Sequence, residues 1–162
     1  MKTISIYGLG YIGLPTAALL ATNKVKVIGI DINQVVVDSI NSSICPIIEP
    51  GLDEILKKAI SSGNLIAQTK GVESDVFIIA VPTPIIMDNG KPSPSIKFIE
   101  DVCDEIAKYV RPGNLVILES TSPVGTTRKI MDLISSKSSI NKNDILFSYC
   151  PERVIPGNTI NE

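Results

Sequence analysis

A glycine-rich turn between two short apolar segments constrains the fold of this chain more than any other feature. Thr3–Tyr7 has the pattern of a β-strand and leads directly into residues 8–13, GLGYIG. The next segment, residues 11–22, is rich in Ala and Leu and predicts a helix, with Pro15 in its first turn, where a missing N–H costs nothing. Residues 25–30 predict a second strand. This strand–turn–helix–strand unit is typical of a parallel α/β sheet.

The turn and the end of the second strand together predict a dinucleotide site. Gly8 permits the tight turn, Gly10 lets a pyrophosphate approach the backbone, and Gly13 lets the helix pack closely on the sheet. The N–H groups and the positive dipole at the start of the helix favour an anion. Asp31 follows at about the 20-residue spacing expected of a carboxylate that binds the adenosine ribose. That carboxylate would repel a 2′-phosphate, so we expect NAD rather than NADP.

Two other interpretations of this segment remain open at this point. The glycines could serve only to make a turn, with Asp31 capping the helix that follows it. A methyltransferase of related topology also combines a glycine-rich loop with an acid after its second strand. Stabilisation by S-adenosylmethionine and not by NAD would distinguish the methyltransferase.

Alternation of short apolar runs with helical segments continues along the chain and predicts a Rossmann-type, doubly wound, mostly parallel six-stranded sheet in a three-layer αβα arrangement. Residues 82–95 hold four prolines and an Asn-Gly pair, so we expect a loop there. The further predicted strands are residues 65–69, 75–81, 115–118 and 145–149, and the further predicted helices are residues 34–40, 52–62, 95–110 and 126–134.

Composition excludes several classes of function. The chain has no His, so a histidine base and a histidine-ligated metal are excluded, and we expect no metal site. Its three Cys are far apart, which argues against disulfides and zinc and suits a reducing cytoplasm. The net charge of −2 and the lack of a basic run argue against nucleic-acid or anionic-membrane partners. No apolar stretch approaches the ~20 residues that span a bilayer.

Three more segments follow predicted strands, at the edge where ligands of open α/β sheets bind. Thr83 stands between two prolines that hold its backbone, although it could be no more than a loop hydroxyl. Residues 119–125, ESTSPVG, offer hydroxyls and N–H groups before a helix start, and residues 150–153, CPER, follow the last predicted strand. Because the carboxyl ends of parallel strands converge, we expect all three segments at one site.

These segments also have purely structural interpretations. Thr121 or Ser122 could simply cap the following helix, a frequent role for hydroxyl side chains. Glu152 and Arg153 could form a solvated ion pair. Cys150 is predicted to be a small buried residue rather than a nucleophile.

The motifs together resemble the UDP-glucose/GDP-mannose dehydrogenase family over the whole chain. They are IYGLGYIGLPTAALLA, GIDIN, IIEPGL, IAVPTP, LVILESTSPVGTT and YCPERVIPG. Within the family, IAVPTP, ESTSPVGTT and CPERVIPG are most similar to members that oxidise UDP-N-acetyl-D-mannosamine. Members acting on UDP-glucose usually carry an Asn-Pro-Glu-Phe-type segment where this chain has residues 150–153. UDP-glucose, UDP-GlcNAc and GDP-mannose remain alternative substrates.

The resemblance implies the chemistry of polysaccharide biosynthesis. Such enzymes oxidise the 6-hydroxyl of a nucleotide sugar to a carboxylate with two NAD, here giving UDP-N-acetyl-D-mannosaminuronate. A Cys captures the aldehyde, and water cleaves the resulting thioester. The implied cofactor contacts are Gly8, Gly10, Tyr11, Ile12, Gly13, Asp31, Thr83 and Thr121. Thr121 is also expected to order a catalytic water, Glu152 to act as an acid in proton transfer or hydrolysis, and Arg153 and Val154 to contact the nucleotide sugar.

One departure from the family's pattern bears on activity. The family's catalytic Cys lies in a Gly-Gly-x-Cys-x-Pro segment, and its Lys and Asn lie on a central helix. The three Cys of this chain lack that context. We therefore expect residues 1–162 to form one NAD-binding domain of a larger, homo-oligomeric enzyme, without the central helix and the UDP-sugar-binding domain, and without turnover of its own. A non-catalytic nucleotide-sensing module is the alternative.

Overall fold

The structure, a computed structural model, describes residues 2–88, 90–154 and 157. Ile155 and Pro156 of the CPERVIPG motif lie outside the described residues. The elements are β1 (Thr3–Tyr7), α1 (Gly13–Thr22), β2 (Lys26–Ile30), α2 (Gln34–Asn41), α3 (Leu52–Ser61), β3 (Leu65–Gln68), β4 (Val76–Ile79), β5 (Ile85–Asp88), β6 (Lys91–Pro94), α4 (Lys97–Ile106), β7 (Leu115–Leu118), α5 (Thr126–Ser138), a short 3₁₀ turn (Lys142–Asp144) and β8 (Leu146–Tyr149).

Six of the strands form one parallel sheet, in the order β3-β2-β1-β4-β7-β8. This confirms the predicted Rossmann-type fold. The chain reverses the direction in which it adds strands between β1 and β4, which pair side by side. At such a reversal the connections leave in opposite directions, so a crevice opens beyond the carboxyl ends of the two strands.

Helices cover both faces of the sheet, as the apolar strand runs predicted. On one face, α1, α2 and α3 pack around Ile6, Leu14 and Leu56. On the other face, α4 and α5 pack around Phe77, Ile99 and other buried side chains. Alternate side chains of the central strands point into the two cores, which makes both sides of the sheet apolar. Among the described helices, none is long and apolar enough to cross a membrane.

The prediction of a loop over residues 82–95 is wrong. β5 and β6 form a separate two-stranded antiparallel ribbon, with Ile85 opposite Pro94 and Asp88 opposite Lys91. Prolines exclude a segment from the centre of a sheet, but a two-stranded ribbon has only edges, where a missing N–H is tolerated. An Asn-Gly pair is typical of a hairpin turn, but the four prolines outweighed it in the prediction.

Two further expectations need correction. α5 continues through Ser138, four residues beyond its predicted end at 134. In its last turn, the Ser135 hydroxyl donates a hydrogen bond to the Ile140 carbonyl at 2.6 Å. Cys150 is exposed rather than buried, because it follows β8, the edge strand of the sheet. Cys103 is fully buried, and burial raises the pKa of its thiol to about 12.

Candidate functional site

The glycine turn joins β1 to α1 at the centre of the sheet edge. The Gly8 N–H donates to the Ile30 carbonyl at 2.8 Å, and Gly8 has a φ of +93°. A Cβ on Gly8 would lie 2.6 Å from the Ala80 carbonyl oxygen, and one on Gly13 would lie 1.9 Å from the Gly8 carbonyl oxygen. A Cβ on Gly10 would meet no atom within 4 Å. Gly8 and Gly13 therefore allow tight packing, and Gly10 faces open space.

The first turn of α1 has the features of an anion-binding site. The helix begins at Gly13 rather than at residue 11, so Tyr11 and Ile12 belong to the turn. Ile12 occupies the N-cap position, no side chain caps the helix, and its first turn has no acidic residue. The Leu14 N–H donates to the Gly10 carbonyl at 3.1 Å, whereas the other N–H groups at this end keep their capacity to bind a ligand. The helix dipole favours a negative ligand.

Asp31 connects the turn to the end of β2. Its Oδ2 accepts the Leu9 N–H at 3.0 Å, and its Oδ1 accepts the Asn33 N–H at 2.9 Å. Asn33, and not Asp31, caps α2, by accepting the Val35 N–H at 3.0 Å. The alternative role of Asp31 as a helix cap is therefore wrong. Each carboxylate oxygen keeps a lone pair, so Asp31 can still accept hydrogen bonds from a ribose.

Two cavities flank the turn and share Gly8, Asp31, Val81 and Pro82. We call the first the β2–α4 cavity; it measures about 810 Å³, and its other lining residues include Ile30, Ile32, Thr69, Lys70, Phe98 and Tyr109. The second is the β4–β7 cavity; it measures about 410 Å³, and its other lining residues include Gly10, Tyr11, Ile12, Thr83, Glu119, Ser120, Thr121 and Glu152. Both have the size of small-molecule pockets, and together they form one cleft along the sheet edge.

Most of the predicted site residues meet in this cleft. Thr83, Thr121 and Glu152 follow three different strands, and all three line the β4–β7 cavity. Arg153 and Val154 do not line it. Arg153 is exposed, and the Glu152 carboxylate accepts the Val154 backbone N–H rather than pairing with Arg153.

Ser120, which sequence reasoning did not single out, holds the turn over residues 119–125 in place. Ser120 is buried, and its hydroxyl bonds the Ile79 carbonyl at 3.2 Å and the Val81 carbonyl at 2.8 Å. These bonds attach the turn to the end of β4. Gly125, with a φ of +90°, occupies the N-cap of α5, so the predicted capping alternative for Thr121 or Ser122 is wrong. Thr121 stays exposed at the cavity wall. A small polar residue two positions after a buried strand was the available signal for Ser120.

Glu119 is the second functional candidate that sequence reasoning missed. Its Oε1 accepts the Thr16 hydroxyl at 3.3 Å, and its Oε2 is buried without a hydrogen-bond partner among the described residues. Burial raises the pKa of this carboxyl above its usual value, Thr16 opposes that change, and nearby Glu152 adds to it. A buried carboxylate oxygen without a donor is costly, so the negative charge of Glu119 is poorly compensated beside the β4–β7 cavity.

The β2–α4 cavity combines apolar lining residues with charged ones, including Asp101, Glu105 and Lys108. The Tyr7 hydroxyl is buried there without a partner among the described residues. Burial raises the pKa of this hydroxyl, and the negative charge of Glu105 raises it further. Tyr109 and Phe98 add aromatic wall. A flat, largely apolar ring fits such a space. Within the described part of the chain, no group of His, Cys, Asp and Glu is arranged to hold a metal ion.

A doubly wound sheet with an open glycine turn, an uncapped helix start and a carboxylate after β2 defines a dinucleotide-binding domain. The chain belongs to the UDP-glucose/GDP-mannose dehydrogenase family: residues 2–162 match its NAD binding domain. NAD is the cofactor of this domain. The residues fit that cofactor, since Gly10 leaves room for a pyrophosphate and Asp31 retains acceptors for a ribose.

Similar proteins are nucleotide-sugar dehydrogenases. The chain is 48% identical over 167 residues to a UDP-N-acetyl-D-mannosamine dehydrogenase of Campylobacter jejuni, covering 98% of this chain and 40% of that protein. It is 45% identical to an NDP-N-acetyl-D-galactosaminuronic acid dehydrogenase of Ralstonia nicotianae, covering 99% of this chain and 39% of that protein. The solved structure of a UDP-N-acetyl-mannosamine dehydrogenase from Staphylococcus aureus superposes with a TM-score of 0.92 at 38% identity, covering 99% of this chain and 39% of that one. The chain thus spans about two-fifths of the length of these relatives.

Proposed function

We propose that this chain is the NAD-binding domain of a nucleotide-sugar 6-dehydrogenase that converts UDP-N-acetyl-D-mannosamine to UDP-N-acetyl-D-mannosaminuronate with two NAD. The observation that carries the proposal is the cleft itself. It places the glycine turn, Asp31 and the group Thr83, Thr121 and Glu152 along one sheet edge. The relatives named for UDP-N-acetyl-D-mannosamine support the choice of sugar.

The two cavities of the cleft bind the two ends of the cofactor in this proposal. The backbone at Gly8 and Gly10 and the start of α1 hold the pyrophosphate, and Asp31 holds the adenosine ribose. The adenine then enters the β2–α4 cavity, whose walls are largely apolar. The opposite end of an extended dinucleotide lies across the turn, in the β4–β7 cavity. When bound, NAD supplies the hydride acceptor for the oxidation.

Glu152 and Thr121 act beside the reacting carbon in this proposal. Both line the β4–β7 cavity, so a carboxylate and a hydroxyl face the same space. Thr121 orders a water, and Glu152 moves a proton to or from it. Arg153, exposed next to Glu152, and Val154 contact the nucleotide sugar outside the cavity.

Capture of the aldehyde intermediate by a Cys thiol requires residues that we place outside residues 1–162. Cys103 is fully buried on α4, and Cys45 donates a hydrogen bond to the Ile47 carbonyl at 3.2 Å. Cys150 is exposed at the end of β8, and it lacks the Gly-Gly-x-Cys-x-Pro context. We therefore infer that the 162 residues bind NAD without oxidising the sugar. The three free thiols also support a cytoplasmic location.

Thermal shift and calorimetric titration of the chain test cofactor binding. We expect NAD to raise the melting temperature and NADP to do so less at equal concentration, because Asp31 repels a 2′-phosphate. S-adenosylmethionine should have no effect. Stabilisation by S-adenosylmethionine and not by NAD would replace the proposal with the methyltransferase interpretation.

Turnover by the whole protein tests the choice of sugar. We expect the highest kcat/KM with UDP-N-acetyl-D-mannosamine, compared with UDP-glucose, UDP-GlcNAc and GDP-mannose. The Ralstonia relative, named for NDP-N-acetyl-D-galactosaminuronic acid, favours including a nucleotide-linked N-acetyl-D-galactosamine as a fifth substrate. A higher kcat/KM with any other sugar would contradict the assignment, and NADH absorbance at 340 nm provides the readout.

A further inference from the structure

Glu119 combines a buried acceptor with a position in the ligand cleft. Its Oε2 has no partner among the described residues, and its one side-chain hydrogen bond there, from Thr16, is long at 3.3 Å. The carboxyl lies directly after β7, beside the turn that carries Thr121. The Glu119 side chain is half-buried, so a free chain with this arrangement keeps a poorly compensated negative charge beside the cavity.

The charges around the β4–β7 cavity all have one sign. Asp31, Glu119 and Glu152 are its charged lining residues in the described part of the chain, and no Lys or Arg lines it there. Of the packed elements, α1 presents the neutral Thr16 to Glu119, the segment after β4 presents Thr83, and the segment after β8 presents Glu152. A cationic group with a hydrogen-bond donor is therefore the chemistry that this end of the cleft favours.

The two ends of a bound dinucleotide differ in their charge and in their hydrogen-bond donors. Asp31 and the glycine turn fix the adenosine ribose and the pyrophosphate, which leaves the β4–β7 cavity to the nicotinamide riboside. The oxidised nicotinamide ring carries a positive charge and a carboxamide with two N–H donors. The reduced ring has the same carboxamide without the charge. A carboxylate at this position therefore interacts more strongly with the oxidised form.

We propose that Glu119, through the negative charge of its carboxylate at the β4–β7 cavity, makes the site prefer NAD⁺ to NADH. This inference rests on the NAD-binding function proposed above. Its consequence is selective release of the reduced cofactor. A reaction that consumes two NAD at one site needs NADH to leave before the second NAD⁺ enters.

Glu119→Gln tests the charge with little change of shape. We expect calorimetric titration of the chain to show about tenfold weaker NAD⁺ binding, because the attraction between the Glu119 carboxylate and the positively charged nicotinamide ring is lost. The affinities for NADH and for ADP-ribose, which lacks nicotinamide, should change less than about twofold. Glu73→Gln is the matched control. Glu73 pairs with Arg111 before β4, at the opposite edge of the sheet, and its variant should bind all three ligands like the wild type.

A stability measurement separates this role from damage to the fold. Burial raises the pKa of Glu119 in the folded chain, so its ionisation lowers stability as the pH rises through that pKa. Glu119→Gln cannot ionise, so we expect its melting temperature to equal or exceed that of the wild type at pH 7. The gain should vanish below the pKa of an unfolded Glu, where both proteins are neutral at this position.

The outcomes separate the inference from the proposed function. If the wild type binds all three ligands and Glu119→Gln leaves the NAD⁺/NADH affinity ratio unchanged, Glu119 does not discriminate the redox state, and cofactor binding stands. Equal weakening of all three ligands also overturns the inference. If the wild type binds neither NAD⁺ nor ADP-ribose, the proposed function fails and the inference fails with it.

Discussion

Gly10→Ala is expected to weaken NAD binding by at least about tenfold while leaving the melting temperature of the chain unchanged. A Cβ at Gly10 would meet no protein atom within 4 Å, and Gly10 does not have a positive φ, so the backbone accepts alanine. The methyl group would instead occupy the space through which a pyrophosphate approaches the start of α1. Calorimetry measures the affinity, and thermal unfolding measures the fold.

Gly13→Ala is the paired control, three residues further on. Its Cβ would lie 1.9 Å from the Gly8 carbonyl oxygen, so the helix must move away from the turn. We expect a loss of about 2–3 kcal/mol in the free energy of unfolding and a fall of about 5–10 °C in melting temperature. Wild-type NAD affinity in a folded Gly10→Ala chain would show that the turn does not hold the pyrophosphate.

Asp31→Asn is expected to lower NAD affinity by about tenfold to a hundredfold and to lower NADP affinity much less. A charged acceptor for the ribose is lost, which corresponds to about 1.5–3 kcal/mol. The repulsion of a 2′-phosphate is lost as well, and Lys70 lines the same cavity as a cation for that phosphate. The ratio of the two dissociation constants, from parallel titrations, is the measurement.

The control for this variant is Asp132→Asn, on the exposed face of α5. Asp132 pairs with Lys142 at 2.8 Å on the surface and lines neither cavity of the cleft. Its substitution removes the same charge and should leave both affinities unchanged. An unaltered NAD/NADP preference in Asp31→Asn would contradict the assigned role of Asp31.

The parallel sheet could be predicted because its physical cause is local. Strands buried on both faces must be apolar throughout, and runs such as Val76–Ile79 show this directly. The β5–β6 ribbon was missed because four prolines outweighed one Asn-Gly pair. The exposure of Cys150 could not be predicted, since edge position depends on strand order, which no local pattern contains.

The grouping of the candidate residues at one edge of the sheet could be predicted, but their hydrogen bonds could not. Thr83, Thr121 and Glu152 meet because the ends of parallel strands converge, and that follows from the fold class alone. The hydrogen bond from the Leu9 N–H to Asp31 joins two segments of the chain, and no spacing rule predicts it. The partnerless oxygen of Glu119 likewise depends on which side chains surround it in space.

A crystal structure of the chain with NAD tests the central claim most directly. We expect the pyrophosphate against the backbone of residues 8–13, the adenosine ribose on Asp31 and the nicotinamide in the β4–β7 cavity, on the side lined by Glu119. Electron density for NAD that lies away from the glycine turn, or that reverses the two ends of the cofactor, would contradict the account.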